Sequence, residues 1–390
     1  MSAVTGVAQR REGIEPMDWS LVIAVAALLG LGLVMVASAS VAIAEREIGD
    51  PLYFFKRQLA YVAFGVTVAA VLTRIRLALW ERAGMALLAL SYVLLVLVLV
   101  PTIGKTVNGS ARWLMLGPVS LQVSEVAKLF IAIYLAGYLV RQEAAVRETI
   151  KGFMRPVVLV MAAAGLMLAE PDFGAAAVLV AMAMGMLFLG GVRLWQFGVL
   201  VMMSAAAAAV LIISSPYRLE RLTAFLSPWS DPFDSGFQLT QALIAVGSGS
   251  WLGVGLGESI QKLFYLPEAH NDFLFAVLAE ELGLIGVLAV VALYAFIVAR
   301  GFAIGAAAER AEQRFGALLA YGLSTWIGLQ ATVNMGVNMG LLPTKGLTLP
   351  LMSYGGSSML VMCAALGLLL RVHRETVQKG ALRRGGRGAS

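Results

Sequence analysis

Asp272 stands at the mouth of a long apolar run, FLFAVLAEELGLIGVLAVVALYAF, with Glu268, His270 and Asn271 just ahead of it. A carboxylate at the end of a membrane helix is costly to bury, so it reads as a functional group by default. Its natural chemistry is proton acceptance, since a positioned carboxylate can serve as the base for an attacking hydroxyl. His270 reads as readily as an interfacial hydrogen bonder as it does as a catalyst. Glu280 and Glu281 lie about two turns deeper at 1.5 Å per residue, and at least one must face a partner or water that the sequence does not name.

Other polar residues fall inside apolar stretches. Glu125 and Lys128 are three apart, hence on one helical face and able to pair, and their place near the outer end of a span favours a cavity-lining role. Gln330, Asn334 and Asn338 follow at i, i+4 and i+8 and make a polar stripe, for which interhelical hydrogen bonding is the plainest role. The glycine clusters at 247–257 and 353–358 can bring backbone N–H groups close to a phosphate. The Gly-rich 247–259 segment fits no G-x-G-x-x-G register, and no Walker loop, H-E-x-x-H or nucleophile elbow occurs. Dinucleotide binding is rejected, and ATP-driven transport and zinc chemistry lose their usual support. Cys363 is the lone cysteine, which rules out an intramolecular disulfide and leaves it as a small packing residue.

The elements that must position these groups are membrane helices. The chain is 60% hydrophobic and only 13% charged, with a mean hydropathy of +0.85, well outside the balance of a soluble domain. Crossing a hydrocarbon core takes about 20 helical residues. Runs of suitable composition lie near 18–44, 53–73, 79–101, 120–140, 155–169, 173–191, 194–214, 268–299, 314–341 and 349–371. They are unbroken rather than alternating, so the expectation is an all-α polytopic bundle of about ten transmembrane helices. The first run is too long for a signal-peptide core and is kept as a span.

Basic residues set the expected orientation. With the N-terminus in the cytoplasm, 19 of the 29 Lys and Arg residues fall on cytoplasmic segments, so both termini are placed inside. The expected division is a cytoplasmic tail over 1–17, one transmembrane domain over 18–371, and a cytoplasmic tail over 372–390 that reads as flexible. The net charge of +6 belongs to this asymmetry and to anionic membrane lipid, not to nucleic acid. The polar material then sorts to the outer face. It comprises the segment from Asn108 to Trp113 with Arg112, the Glu170, Pro171 and Asp172 junction, the 342–358 stretch, and a large loop over 215–266 between the seventh and eighth helices. That loop is too long and too aromatic to be an idle connector.

NGSARWLMLGPVSLQVSEVAKL, EPDFGAAAVL, KLFYLPEAHNDFLFAVLAEELGLIG and NMGLLPTKGLTLPLMSYGGSS occur in order over nearly the whole chain. Together they resemble the marker segments of the SEDS (shape, elongation, division and sporulation) family, and more its division branch than its elongation branch. Asn271 departs from the family, which usually has Thr beside the Asp. The resemblance implies a ten-helix peptidoglycan glycosyltransferase that polymerises lipid II at the outer face of the bacterial cytoplasmic membrane, at the division septum. It also implies a class B penicillin-binding protein, FtsI, as obligate partner, and contact with FtsQ, FtsL, FtsB and FtsN. It aligns Asp272 with the family's essential aspartate, and Arg112, Glu125 and Lys128 with positions in the same outer cavity.

The chemistry agrees with that alignment. Displacement at a sugar diphosphate needs a base for the acceptor hydroxyl and positive charge for the departing diphosphate. One carboxylate can suffice, because diphosphate leaves without a proton, in contrast to most glycoside hydrolases. Arg112, Lys128 and Lys345 would supply cations, and Gly355 and Gly356 N–H donors. A divalent cation such as Mg or Mn could share the diphosphate, although no dedicated ligand set is visible. The competing readings are a lipid-linked precursor flippase or other transporter, which would couple both faces through midplane polar groups, and a noncatalytic scaffold that would leave Asp272 replaceable.

Overall fold

The structure, a computed structural model, describes residues 17–387 apart from 108, 109, 117, 118, 235 and 345. The chain opens with three apolar helices, α1 (Trp19–Ile48), α2 (Tyr53–Leu72) and α3 (Leu77–Val98). Asp18 caps α1 by accepting the Leu21 N–H at 3.2 Å, and Gly49 closes it in the left-handed conformation. A three-stranded antiparallel sheet follows, β1 (Gly104–Val107), β2 (Ser110–Leu116) and β3 (Val119–Gln122), in the order β1-β2-β3. Lys105 pairs with Trp113 across the first hairpin, and Trp113 with Gln122 across the second.

This sheet was not anticipated. It takes the first residues of the expected fourth span, so that α4 begins at Val123 (Val123–Arg141). The short α5 (Glu143–Glu148) leads to α6 (Ile150–Ala169), α7 (Phe173–Leu189) and α8 (Leu194–Ile213). The long loop is structured, holding α9 (Pro216–Leu226), a 3-10 turn (Pro228–Ser230) and α10 (Phe237–Ser248). Then come α11 (Leu274–Arg310), α12 (Arg314–Asn338) and α13 (Gly356–Arg387). The segment after 371, expected to be flexible, continues α13 instead. Its helix is supported by the Arg371–Glu375 pair at 2.8 Å and by Thr376 donating to Gln313 at 3.1 Å.

Among the described residues eight helices are long and apolar enough to cross a membrane: α1, α2, α3, α4, α6, α8, α11 and α13. The chain is a multi-pass membrane protein. The other two expected spans are helical but differ in kind. α7 has 17 residues, and α12 carries Gln330, Asn334 and Asn338 along a buried face. The interior is built from α4, α12 and the first part of α13, whereas α8 exposes Leu194, Met202 and Ile213, as an apolar helix facing lipid should.

α11 is broken at Gly283, where φ is 62°. The break would leave backbone groups unsatisfied in a low-dielectric interior, which is costly, and the loop before it supplies partners. Leu284 and Ile285 N–H donate to the carbonyls of Ser250 and Trp251, and Val254 and Gly255 N–H donate to those of Glu280 and Glu281, all at 3.0–3.2 Å. Gly253, with φ of 80°, is required here, because a Cβ would lie 2.1 Å from the Glu281 carbonyl.

Glu280 and Glu281 find their partners in the same loop. Glu280 accepts from Ser259 Oγ at 2.5 Å and from the Ile260 N–H at 3.1 Å, and Glu281 accepts from Ser38 Oγ at 2.6 Å and from Lys262 at 2.7 Å. They fasten the 249–266 segment to the bundle.

Candidate active site

Asp272 sits two residues before α11, half-buried, at the end of the bundle opposite the chain termini. Its backbone is held from below by the α12 stripe. Asn334 and Asn338 both donate through Nδ2 to the Asp272 carbonyl, at 2.9 and 3.0 Å, and Asn338 Oδ1 accepts the Ala276 N–H at 3.0 Å. Asn334 also donates to the Leu347 carbonyl at 2.6 Å, and Gln330 to the Thr348 carbonyl at 3.2 Å. The stripe does provide interhelical hydrogen bonds, and what it fastens is the start of α11 and the 347–348 backbone around the carboxylate.

Gly346 completes the wall, since a Cβ there would lie 3.1 Å from Asp272 Oδ2. The carboxyl accepts no hydrogen bond among the described residues. Its pKa is pushed up to about 7, first by burial and then by the charges of Glu268 and Asp172, against the pull of Arg112 and Arg221. It therefore exchanges its proton near neutrality.

Arg112, on β2, reaches the α6–α7 junction. It donates through Nη2 to the Pro171 carbonyl at 2.6 Å and through Nε to the Glu170 carbonyl at 3.4 Å, and its Nη1 lies 4.0 Å from Asp172 Oδ1. Asp172 caps α7 by accepting the Ala175 N–H at 3.2 Å, and also accepts from Ser124 Oγ at 2.9 Å. Glu170 is fully buried and neither of its carboxylate oxygens has a partner among the described residues. Burial, then the Asp172 charge, raise its pKa to about 8 despite Arg112, so it carries a proton at neutral pH.

The structure separates the remaining candidates. Lys128 and Glu125 do pair, at 2.8 Å, but both are buried. The ammonium is enclosed by Gln330 Oε1 at 2.8 Å and by the Trp326 ring at 5.0 Å. His270 packs among Phe54 and Tyr354, with ring centroids 4.6 and 5.6 Å away, and burial lowers its pKa. Asn271 donates to Glu268 on the rim.

Gly355 N–H points to Gln58 Oε1 at 3.5 Å, and Gly356 begins α13 against the Tyr61 ring. Ser357 ties that helix to the sheet by accepting the Gln122 N–H and donating to the Ser120 carbonyl. Lys345 lies outside the described residues. Glu170, Asp172 and Arg221 are site members that residue type and spacing do not single out. The EPD junction, an acidic pair flanking proline between two apolar runs, was the available signal for the first two. Arg221, on α9, donates to the Thr344 carbonyl at 3.4 Å, and nothing in its local sequence marked it.

A chain 64% identical over the full length of both proteins is the probable peptidoglycan glycosyltransferase FtsW of Thioalkalivibrio sulfidiphilus. The protein of the same name from Coxiella burnetii is 52% identical over 92% of this chain and 98% of its own. Among solved structures, a chain from a study of how a peptidoglycan synthase complex coordinates polymerization and crosslinking superposes with a TM-score of 0.75. It shares 32% identity and covers 93% of this chain and 99% of its own. The rod shape determining protein RodA of Thermus thermophilus gives a TM-score of 0.69 at 30% identity, over 92% and 97%. The family model for the cell cycle proteins FtsW, RodA and SpoVE matches residues 19–378, and the chain belongs to that SEDS family, on its FtsW branch.

Proposed function

We propose that the chain is a peptidoglycan glycosyltransferase that polymerises lipid II, with Asp272 as the general base. The observation that carries this reading is the placement of Asp272, a carboxyl with a pKa of about 7, on an asparagine-clamped helix start in the field of Arg112 and Arg221. In the reaction, an acceptor sugar hydroxyl attacks the anomeric carbon of the donor. Its proton passes to Asp272 as the carbon–oxygen bond to the undecaprenyl diphosphate breaks, and the bonding electrons leave on the diphosphate. A base whose pKa lies near the working pH suits that transfer. Arg112 and Arg221 would steady the departing charge. Lys128, locked between Glu125, Gln330 and Trp326, would act by holding α4 against α12 rather than by reaching the diphosphate.

Among the described residues no three His, Cys, Asp or Glu side chains are grouped to cage a metal. The Glu170 carboxyl, fully buried and protonated near neutrality, is not a ready ligand, so a magnesium or manganese ion would be held by substrate phosphates and water rather than by a protein cage, and would supply further neutralisation of the leaving group.

On this reading the Asp272 end faces the outside of the bacterial cytoplasmic membrane, both termini are cytoplasmic, and the enzyme works at the division septum. Its partners would be a class B penicillin-binding protein, FtsI, together with FtsQ, FtsL, FtsB and FtsN. Against a transporter stands the gathering of Asp272, Arg112, Glu170 and Asp172 at helix ends on one side of the bundle rather than at its midplane. The test is polymerisation of labelled lipid II by the purified full chain, with and without the penicillin-binding protein and with no other glycosyltransferase present. Glycan strands are expected, and lipid II translocation across a bilayer without polymerisation would overturn the reading.

A further inference from the structure

At the end of the bundle that carries the termini, α1, α2 and α13 leave between them a cleft of about 800 Å³. Its walls are apolar. It runs along α1 from Leu21 to Leu29 and along α13 from Arg371 to Cys363, a rise of eight residue steps on each helix. At 1.5 Å per residue both walls give a depth of about 12 Å, close to the roughly 15 Å of one leaflet's share of a 30 Å hydrocarbon core. The mouth of the cleft is basic, formed by Arg74, Arg371 and Arg374.

We infer that this cleft binds one anionic glycerophospholipid, with an acyl chain between the helices and the phosphate at the arginines. Three observations select that occupant. The depth matches a chain of the adjoining leaflet. The mouth is built from three arginines: Glu375 beside it pairs with Arg371 at 2.8 Å and accepts the Leu77 N–H at 2.9 Å, and Arg371 and Arg374 donate to the Thr73 carbonyl at 3.0 and 3.4 Å. The exposed Arg74 guanidinium has no partner among the described residues, and guanidinium forks suit phosphate oxygens. Basic pockets between membrane helices hold anionic headgroups by this combination.

The chain's own residues 1–16 are a poorer fit, because Arg10 and Arg11 offset Glu12 and Glu15 and bring no net negative charge to the arginines. The inference uses no residue of the proposed catalytic site, so it stands or falls separately from that reading.

Native mass spectrometry of the full-length protein tests it. The protein is exposed to equal amounts of phosphatidylglycerol and phosphatidylethanolamine with identical acyl chains. The wild type should retain phosphatidylglycerol preferentially. Arg74→Gln should reduce that preference about fivefold, the effect of one basic residue at a membrane surface, and Arg74→Lys should keep most of it. Ala26→Phe fills an exposed position in the cleft wall and should reduce retention of both lipids. Arg74 and Ala26 both lie outside the packed core, so unchanged melting temperatures verify that the variants fold. Equal retention of the two lipids by the wild type, or a phosphatidylglycerol preference untouched by Arg74→Gln, would overturn the inference.

Discussion

Asn338 grips both sides of the turn that presents Asp272, donating to the Asp272 carbonyl at 3.0 Å and accepting the Ala276 N–H at 3.0 Å. One side chain thereby fixes the entry of α11 relative to α12, and with it the direction of the carboxylate. Asn338→Ala should leave the protein folded but lower kcat by about tenfold or more, because small misplacements of a reacting group are costly in rate. Asn334→Ala with Asn338→Ala should approach the level of Asp272→Asn. Steady-state polymerisation at saturating lipid II reads the effect, and unchanged kcat in the double variant would remove the stripe from the mechanism.

Gly346 makes a narrower test of the same geometry. The Cβ introduced by Gly346→Ala would lie 3.1 Å from Asp272 Oδ2 and press on the carboxylate. Catalytic geometry tolerates about 0.5 Å of displacement, so kcat should fall several-fold with KM little changed. A KM effect alone would place Gly346 in substrate binding instead.

Glu170 predicts a pH dependence of stability. Its pKa is raised from 4.5 to about 8 in the folded chain, so between those values the folded state keeps a proton that the unfolded state releases. The stability contributed by this group is full below about 4.5 and is lost as pH rises through about 8. Glu170→Gln should therefore melt at a temperature less dependent on pH over that window than the wild type, measured in the same detergent. Parallel curves for the two proteins would contradict the assignment.

The Glu125–Lys128 pair predicts a cost in stability before any cost in chemistry. Lys128→Met leaves a buried carboxylate without its ion partner, which typically costs about 3–5 kcal/mol. Glu125→Gln combined with Lys128→Met should recover much of it, and a double-mutant cycle on melting measures the coupling. Normal stability of Lys128→Met together with lost lipid II turnover would return Lys128 to the substrate.

The bundle was legible because apolar runs of spanning length dictate helices, and Asp272 was legible because a carboxylate at a helix mouth is expensive. The sheet that carries Arg112 was not, because its last strand, β3, runs straight into α4 through LQVSEVAKL with no change in composition. The break at Gly283 was hidden as well, inside a run of unbroken hydropathy. Its counterpart, the glycine-rich 247–257 segment, had been considered for phosphate. It instead lends its backbone N–H and C=O groups to the broken helix, a pairing between distant stretches that no local pattern reports. The enclosure of Lys128 was hidden for a related reason: local spacing reports its helical face but not Trp326 and Gln330, which surround it.

Glycan polymerisation by Asp272→Asn tests the central claim most directly. The amide keeps the size of the carboxylate but cannot accept the hydroxyl proton, and loss of general-base catalysis typically costs about 10²–10⁴-fold. Purified wild-type enzyme should polymerise lipid II with a kcat that rises as pH increases through about 7. Asp272→Asn, folded and inserted to the same extent, should show activity near background and no such rise. Polymerisation by Asp272→Asn at the wild-type rate, with the same pH profile, would contradict the assignment of Asp272 as the catalytic base.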